Sequence, residues 1–463
     1  MLRLGQRRFS SLFSEYSFAQ LDLHPSLQAA LRSLKFERLT RVQADSFCSV
    51  SLFKDVVLSS ETGSGKTLAY LLPLMNRILH SQTPLGPPVV VLAPTLDLCA
   101  QILKVAQSLD PDNALPKQLL TGSSLTVSET GVIEAPRIRW GVVDLVLATP
   151  AKLAEDILRF GPDKFLPAAV VLDEADLLFH GTSQAAILDV FKYLRPRVKR
   201  AGGGGGGGDL TTPFLPTQFV FASATLPAIG PFTVGSVLAQ RFSTADVIRT
   251  TAFHSLPASI RTDWVPELDG VWETRCFLLT QTLKQLVEEG GRAPRRILVF
   301  ANSVSNCRLL HAFLVGKEWP AEKFFRHTSA DLTETAARFN QSESLAILVC
   351  TDIAARGMDW ASVDAVVNFQ LPTDVVTWLH RAGRCGRMGK PGTVVSFFKR
   401  KEEVLVGLLR GKVEAGKSLS GLFSHKRSLK RRLASPNSVH TATPQSPIKP
   451  GTSPPSTSAN SPS

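Results

Sequence analysis

The sequence predicts an α/β protein with two successive series of buried strands and helices. Short, continuous apolar runs such as residues 89–93 and 168–172 are typical of strands that are buried on both faces of a parallel sheet. A strand at residues 55–59 leads through a Gly-rich loop into an amphipathic helix, which is the start of an α/β unit. A second series of such runs begins at residues 296–301, so we expect two domains of this class.

Length and composition place the chain among globular proteins. A length of 463 residues is typical of two to three domains. The content of 44% hydrophobic and 20% charged residues is ordinary for globular proteins. No apolar run approaches the roughly 18 residues that are needed to cross a bilayer, so we expect that the chain is not a membrane protein. The six cysteines lack CxxC spacing, which favours free thiols in a reducing compartment over disulfides or a zinc site.

The net charge of +13 is concentrated at the two ends of the chain. Residues 1–14 carry three arginines and no acid, and residues 424–463 carry six basic residues and no acid. These ends hold nine positive charges, which leaves +4 for the body of the chain. The charge predicts a polyanionic partner that is attracted largely by the tails.

The domain boundaries follow from changes in composition. Residues 1–16 have the Arg- and Ser-containing character of a mitochondrial transit peptide, with a disordered basic N-terminus as the alternative. The first domain spans residues 17–250 and contains a flexible Gly-rich insertion near 200–209. The second domain spans residues 251–415. Residues 416–463 form a basic, Ser- and Pro-rich tail that we expect to be disordered.

Two residues near the start of the first domain suit a purine base. An amide such as Gln43 can pair with the donor and acceptor edge of adenine, and an aromatic ring such as Phe18 can stack on its face. Each residue alone is more often an ordinary surface or core residue.

The loop at residues 60–67 is the clearest motif of the chain. It lies between a strand and an amphipathic helix, which is the context of a phosphate-binding loop. In such a loop the backbone amides and the helix N-terminus surround the phosphates, Lys66 reaches the β and γ oxygens, and Thr67 binds magnesium. Ser60 occupies the position of the usual first glycine.

The acids at residues 173–176 follow a buried strand. Two carboxylates at a strand tip can hold magnesium and orient the attacking water. An acidic first turn of a helix is the alternative. A phosphate-binding loop requires a metal-binding carboxylate, so the loop favours the first interpretation.

Other strands end in small, hydroxyl or basic residues. Pro94-Thr95 and Thr149-Pro150 are suitable for holding a sugar-phosphate backbone, although Thr-Pro is also a common turn. The segment 223–225 can relay the state of a γ-phosphate through switching hydrogen bonds. At residues 380–387, three arginines spaced three apart predict a cluster on one helix face that contacts a polyphosphate between two domains. A solvated basic helix start is the alternative.

Taken in order, these motifs resemble those of a DEAD-box ATP-dependent RNA helicase of superfamily 2. The resemblance covers about residues 17–410 and rests on Gln43, Lys66-Thr67, Asp173-Glu174-Ala175-Asp176, Ser223-Ala224-Thr225, Thr351 to Asp359 and His380 to Arg387. It implies two tandem RecA-like domains, each a parallel sheet flanked by helices, which close over ATP and single-stranded RNA.

The resemblance assigns roles to individual residues. Asp173 positions magnesium with Thr67, largely through water, and Glu174 activates the attacking water. The catalytic residues are Lys66, Asp173, Glu174 and, as arginine fingers from the second domain, Arg384 and Arg387. The ATP-binding residues are Phe18, Gln43, Thr62, Gly63, Ser64, Gly65, Lys66, Thr67 and Asp359. The residues that couple ATP hydrolysis to RNA unwinding are Ser223, Thr225 and His380. The residues that contact RNA are Pro94, Thr95, Gly122, Thr149, Pro150 and Thr351.

Several family positions are changed on the RNA side. The usual Pro-Thr-Arg-Glu-Leu is Pro-Thr-Leu-Asp-Leu at residues 94–98, the paired glycines are Gly122-Ser123, and Thr-Pro-Gly-Arg is Thr-Pro-Ala-Lys at residues 149–152. We expect weaker salt-dependent RNA affinity, which a basic tail around residues 426–432 compensates. A nuclear localisation signal is the alternative interpretation of that tail.

The expected function is therefore an ATP-dependent RNA helicase that unwinds short duplexes or remodels RNA–protein complexes. The expected cofactors are ATP and Mg²⁺, and the partners are RNA and a ribosomal RNA–protein particle, with a monomeric protein that contacts no membrane. The localisation is the mitochondrial matrix, with the nucleus or nucleolus as the alternative. An ATP-dependent RNA clamp with little turnover is the competing function, and a DNA helicase is a weaker third.

Overall fold

The structure is a computed structural model of the chain. It describes residues 12–81, 87–121, 125–127, 131–161, 167–179, 183–194, 217–226, 233–250, 254–267, 270–288, 296–325, 329–352, 354–355, 360, 363–387 and 390–422. Several predicted features lie outside these residues, namely the first eleven residues, the Gly-rich insertion, Gly122, Asp359 and the tail from residue 423.

Two short strands form an antiparallel ribbon at the start, β1 (Phe13–Ser17) and β2 (Arg38–Thr40). The first large sheet contains β3 (Val56–Ser59), β4 (Val89–Leu92), β5 (Lys117–Leu120), β6 (Thr126–Val127), β7 (Ile133–Ala135), β8 (Leu145–Ala148), β9 (Ala169–Leu172), β10 (Gln218–Ser223) and β11 (Asp246–Arg249). Its order is β11-β3-β10-β9-β4-β8-β5-β7-β6. The pairs are parallel, apart from the antiparallel pair of β6 with β7.

The second sheet is parallel throughout. It contains β12 (Ile260–Glu267), β13 (Arg296–Phe300), β14 (Ala321–Phe324), β15 (Ala346–Cys350), β16 (Ala365–Asn368) and β17 (Gly392–Lys399). The strands lie in the order β12-β17-β16-β13-β15-β14. The predicted α/β fold with two parallel-sheet domains is therefore confirmed.

Helices connect the strands of both sheets. The first domain has α1 (Pro25–Ser33), α2 (Arg41–Ser51), α3 (Lys66–His80), α4 (Leu96–Leu109), α5 (Pro150–Phe160), α6 (Ala175–Leu178), α7 (Ser183–Leu194) and α8 (Val234–Arg241). The second has α9 (Trp272–Glu288), α10 (Val304–Gly316), α11 (Ser329–Gln341), α12 (Val375–Ala382) and α13 (Glu403–Glu414). Across the described residues, no helix is both long and apolar enough to cross a membrane.

The central strands are buried on both faces, as their continuous apolar sequences predict. In β9, Ala169 and Val171 pack in one hydrophobic cluster, whereas Val170 and Leu172 pack in another on the opposite face. Such double burial stabilises parallel sheets through the hydrophobic effect. Because the strands are parallel, their carboxyl ends meet at one edge, where α/β proteins bind ligands.

Both ends of the described chain extend the fold beyond the expected boundaries. The expected N-terminal segment, residues 1–16, includes most of β1, which pairs with β2. The expected tail begins at residue 416, yet Leu419 and Leu422 are buried in the hydrophobic core of the second domain. Apolar side chains spaced three apart bring this segment back onto the core, which is why the packed chain continues to residue 422.

Candidate active site

The phosphate-binding loop lies between β3 and α3, as the sequence predicts. Gly63 and Gly65 have φ angles of +78° and +90°, a left-handed region that favours glycine. A Cβ atom on Gly65 would lie 2.5 Å from Gln43 Nε2, so a larger residue would displace the Gln43 amide from the loop. Gly65 immediately precedes α3, whose first residue is Lys66.

Lys66 is held by the loop itself. Its Nζ donates hydrogen bonds to the carbonyl oxygens of Ser60 and Glu61, both at 2.8 Å. The hydroxyl groups of Ser60 and Ser64 lie 2.6 Å apart and brace the same loop. Burial lowers the pKa of Lys66, and the nearby carboxylates, Asp173 foremost, oppose that shift. The ammonium group is thus positioned among acids.

Asp173 lies at the carboxyl end of β9 and is buried. Its Oδ2 accepts a hydrogen bond from the Tyr70 hydroxyl and its Oδ1 accepts one from the Glu174 amide, both at 2.9 Å. Burial raises the pKa of Asp173 to about 6, the charge of Glu174 adds to the increase, and Tyr70 and Lys66 oppose it. Sequence reasoning missed Tyr70. The feature that could have indicated it is its hydroxyl group on the apolar face of α3.

Glu174 occupies a backbone conformation that is uncommon for residues with a side chain. Its φ angle is +48°, in the left-handed region, and it is the N-cap of α6. Backbone strain of this kind occurs at functional sites, where the surrounding structure holds it. The turn brings Glu174 into the same cavity as Asp173.

A cavity of about 340 Å³ brings residues of both domains together. Its lining contains the predicted residues Thr62, Gly63, Gly65, Lys66, Thr67, Asp173, Glu174, Arg384 and Arg387. Ala224, from the predicted segment 223–225, also lies in the lining. Sequence reasoning did not place the α4 residues here, namely Leu98, Gln101, Ile102 and Val105. The two arginines follow α12 of the second domain, whereas the other predicted residues belong to the first.

Phe18 does not share this cavity. It lines a separate cavity of about 450 Å³ together with Phe36, whose ring centroid lies 6.3 Å from that of Phe18. Gln43 instead contacts the phosphate-binding loop. Its Oε1 accepts from the Thr40 amide at 2.9 Å and its Nε2 donates to Gly65 O at 3.2 Å. In this structure the Gln43 amide therefore connects α2 to the phosphate-binding loop.

The segment after β10 is connected to both domains. Thr225 donates to Asp176 Oδ2 through its amide at 3.1 Å and also through its hydroxyl. The same Oδ2 lies 3.0 Å from Nε2 of His380, in the second domain. Burial alone would raise the pKa of Asp176, but the charge of His380 and these hydrogen bonds lower it below the usual value. Ser223 donates from its hydroxyl to the Thr225 carbonyl.

A further contact joins the domains directly at the phosphate-binding loop. The Thr62 hydroxyl donates to the carbonyl oxygen of Gly383 at 3.2 Å. A Cβ atom on Gly63 would lie 3.2 Å from Cγ of Arg387. The second domain thus covers the loop.

The three arginines after residue 380 do not form one cluster. Arg381 is fully buried in the second domain and donates to Asp352 at 2.6 Å, to Gln370 O at 2.9 Å and to Asn302 at 2.8 Å. The expectation of a shared helix face is therefore wrong for Arg381. Because α12 ends at Ala382, the other two arginines lie beyond the helix and its spacing rule no longer applies.

The residues predicted to contact RNA lie at strand tips. Thr95 and Thr149 precede α4 and α5, after the neighbouring strands β4 and β8, and Thr95 caps α4 by accepting from the Leu98 amide at 3.2 Å. Pro94 precedes Thr95, and the buried Pro150 is the first residue of α5. Thr351 follows β15 in the second domain. Gly122 and Asp359 lie outside the described residues.

Comparisons with known proteins match both domains of the chain. The DEAD/DEAH box helicase family matches residues 40–230, and the family of the helicase conserved C-terminal domain matches residues 279–389. The chain is 30% identical to the probable ATP-dependent RNA helicase DDX28 of Homo sapiens, over 89% of this chain and 76% of that protein. It is also 30% identical to DEAD-box ATP-dependent RNA helicase 39 of Arabidopsis thaliana, over 88% of this chain but 62% of that protein.

Solved structures share the two-domain fold. Mss116p bound to ssRNA and AMP-PNP is 23% identical with a TM-score of 0.68, over 87% of this chain and 78% of that chain. Dbp5 of S. cerevisiae bound to RNA and ADP BeF3 is 21% identical with a TM-score of 0.65, over 86% of this chain and 93% of that chain. The two domains are RecA-like. On its motifs, fold and relatives, the chain belongs to the DEAD-box family of ATP-dependent RNA helicases.

Proposed function

We propose that this protein hydrolyses ATP in response to RNA and uses the cycle to unwind short duplexes locally or to remodel RNA–protein complexes. One observation carries this proposal. Arg384 and Arg387 of the second domain line the same cavity as Lys66, Asp173 and Glu174 of the first. A site that is complete only when both domains meet can couple hydrolysis to a change in domain arrangement.

The residues of the cavity suit a magnesium nucleotide. The amides of the loop at Gly63 and Gly65 and the N-terminus of α3 would hold phosphates, and Lys66 would exchange its two carbonyl partners for phosphate oxygens. Thr67 and Asp173 offer hard oxygen ligands. Among the described residues no group of three or more His, Cys, Asp or Glu side chains forms a metal cage. Magnesium fits such a site because it keeps several waters and takes one or two carboxylates together with phosphates.

The remaining residues would supply the chemistry. Glu174 would accept the proton of the attacking water, as a general base. Arg384 and Arg387 would stabilise charge on the transferred phosphoryl group. Magnesium, when bound, would neutralise charge on the phosphates. Phe18, Gln43 and Asp359 would hold the nucleoside.

RNA would lie across both domains at the strand tips that carry Thr95, Thr149 and Thr351, with Pro94 and Pro150 beside them. Gly122, outside the described residues, stays a predicted RNA contact. The contacts would be made to sugar and phosphate, so binding would depend little on sequence. The basic N-terminal residues support import into the mitochondrial matrix, and the basic tail supports a nuclear or nucleolar site instead. We further propose that the chain acts as a monomer on a ribosomal RNA–protein particle.

A steady-state ATPase assay tests the proposal. The native chain and Glu174→Gln are compared with and without RNA. RNA should stimulate the native chain, and the variant should lose most of the stimulated rate. Equal rates for both proteins, or no stimulation by RNA, would contradict the proposal. Matched RNA and DNA duplexes then separate an RNA helicase from a DNA helicase.

One observation favours an RNA clamp with little turnover as a second candidate. Lys152, at the position of an arginine common in the family, forms an ion pair with Glu155 at 2.8 Å. A basic side chain that is paired with an acid is less available to RNA phosphates, so RNA would stimulate ATP hydrolysis less. A clamp would retain RNA with ATP but release little phosphate. The ATPase assay measures the release of phosphate.

A further inference from the structure

A hydrogen bond joins the two domains at a residue outside all of the motifs above. The amide of Leu226 donates to Nε2 of His254 at 2.8 Å. Leu226 directly follows the segment Ser223–Thr225 of the first domain. The side chain of His254 is almost completely buried, so water competes little for this bond.

The backbone of His254 belongs to the second domain. Its carbonyl oxygen accepts a hydrogen bond from the Leu419 amide at 2.8 Å. Leu419 is fully buried in the core of the second domain, and Leu256, two residues after His254, packs against the same core. The main chain at His254 is thus held by one domain while its imidazole ring reaches the other.

Two properties of histidine suit this position. The φ angle of His254 is +61°, in a left-handed region where His, Asn and Asp occur more often than most side chains. Burial lowers the pKa of His254 to about 4, Asp176 opposes that shift and Arg249 adds to it. The ring is therefore neutral near pH 7, and Nε2 is available as an acceptor.

The segment from Ser223 to Leu226 is consequently attached to the second domain on both sides. Thr225 is linked through Asp176 to His380, and Leu226 is linked directly to His254. We infer that His254 is a positioning residue, which holds this segment against the second domain and favours the arrangement in which both domains line the nucleotide cavity. This inference rests on the proposed function.

The expected size of the effect follows from the bond. A neutral hydrogen bond in a protein contributes a net factor of about 2 to 10 to an equilibrium. Because the Leu226–His254 bond exists when the domains meet, its loss should weaken domain closure by that factor. Affinities that need only one domain should not change.

The test measures RNA affinity of the full-length chain with and without a non-hydrolysable ATP analogue. His254→Gly keeps the left-handed backbone but removes the acceptor, whereas His254→Gln keeps an acceptor oxygen at about the reach of Nε2. Glu318→Gly is the matched control, since Glu318 is exposed and has a φ angle of +62° in the same domain.

We expect the analogue to tighten RNA binding about 2- to 10-fold less in His254→Gly than in the native chain. His254→Gln should recover part of the difference, and Glu318→Gly should match the native chain. RNA affinity without nucleotide and the melting temperature should change little.

Equal tightening in His254→Gly and the native chain would overturn the inference. Equal losses in the Gly and Gln variants would also overturn it, because the effect would then come from packing of the ring. If the native chain itself showed no tightening with the analogue, the proposed function would fail first and this inference with it.

Discussion

At the scale of single residues, the two neighbouring acids after β9 lie in different surroundings. Asp173 is buried, accepts two hydrogen bonds and has a raised pKa. Glu174 is half-buried and is directed into the cavity by a left-handed backbone. This difference supports separate roles, with Asp173 for the metal and Glu174 for the attacking water.

The role of Glu174 predicts a trapped intermediate. Glu174→Gln should keep ATP affinity and lower the hydrolysis rate by a factor on the order of 100 or more, because it removes a general base. Bound ATP should then hold RNA for longer. Single-turnover phosphate release and the dissociation of labelled RNA measure the two effects, with Glu414→Gln, at an exposed position of α13, as control. Unchanged RNA dissociation with ATP would count against the assignment.

The raised pKa of Asp173 predicts how nucleotide binding depends on pH. The carboxylate is charged at pH 7 and takes up a proton as the pH falls through about 6, so affinity for the magnesium nucleotide should fall there. Tyr70→Phe removes a hydrogen bond that lowers this pKa, so the midpoint should move to higher pH. Fluorescent nucleotide titrations at several pH values measure the midpoint. Asp173→Asn should bind weakly with little pH dependence, and a native-like profile in that variant would contradict the attribution.

The sequence predicts the local chemistry of the site better than it predicts contacts between side chains that are distant along the chain. Lys66 and the acids at residues 173 and 174 are recognisable because a strand, a loop and a helix fix their geometry locally. The hydroxyl of Tyr70 and the inward turn of Arg381 are not, since both depend on partners distant along the chain. Spacing rules that hold within a helix also stop at its end, which α12 reaches before Arg384.

At the scale of elements, continuously apolar strands are easier to predict from the sequence than strands that contain buried polar residues. The continuous apolar runs predict β4, β8 and β9, which are buried throughout. In contrast, β5 begins with Lys117 and Gln118, which are both fully buried although they are polar. Such a strand has a shorter apolar run, and its buried polar residues depend on partners that a sequence does not show.

Lys117 shows how such a strand is held. Its Nζ donates to Asp110, to Asn113 at 3.2 Å and to the carbonyl oxygen of Leu115 at 2.9 Å. The Asp110 carboxylate also accepts from the amides of Ala114 and Leu115, both at 2.9 Å. This network closes the turn between α4 and β5.

Lys117→Met should therefore destabilise the first domain. Removing Lys117 leaves the buried Asp110 carboxylate without its counter-charge, which costs about 3–5 kcal/mol of unfolding free energy. Thermal or urea unfolding measures the loss. Lys192→Met is the control, because Lys192 pairs with Asp189 at an exposed position and should have no measurable effect. Equal stability of the two variants would contradict a structural role for the Lys117 network.

At the scale of the whole molecule, charge and domain contacts act together. The nucleotide cavity needs both domains, whereas much of the excess positive charge lies in the terminal segments. The fold and the ATP side of the site follow from the order of the motifs. The separation of Phe18 from the cavity does not follow from it, because it depends on how α1 and α2 pack.

The C-terminal charge predicts a salt-dependent contribution to RNA binding. Deleting residues 424–463 removes six basic residues, so RNA affinity should fall and the slope of log affinity against log salt should become shallower. Binding titrations at several salt concentrations measure both quantities, and a tail with the same residues in scrambled order is the control. Unchanged affinity and slope would leave the tail as a localisation signal.

The contact between Thr62 and Gly383 provides a way to separate the domains without unfolding either one. A Cβ atom at residue 383 would lie 1.9 Å from the Thr62 hydroxyl oxygen, although the φ angle of −70° suits alanine. Gly383→Ala should therefore act as a wedge that keeps the cavity open, and Thr62→Gly should remove the obstruction. Distances between labels on the two domains, measured with nucleotide and RNA, would report this. If Gly383→Ala keeps the domains apart and Thr62→Gly allows them to close again, the open and closed steps of the catalytic cycle could be studied separately.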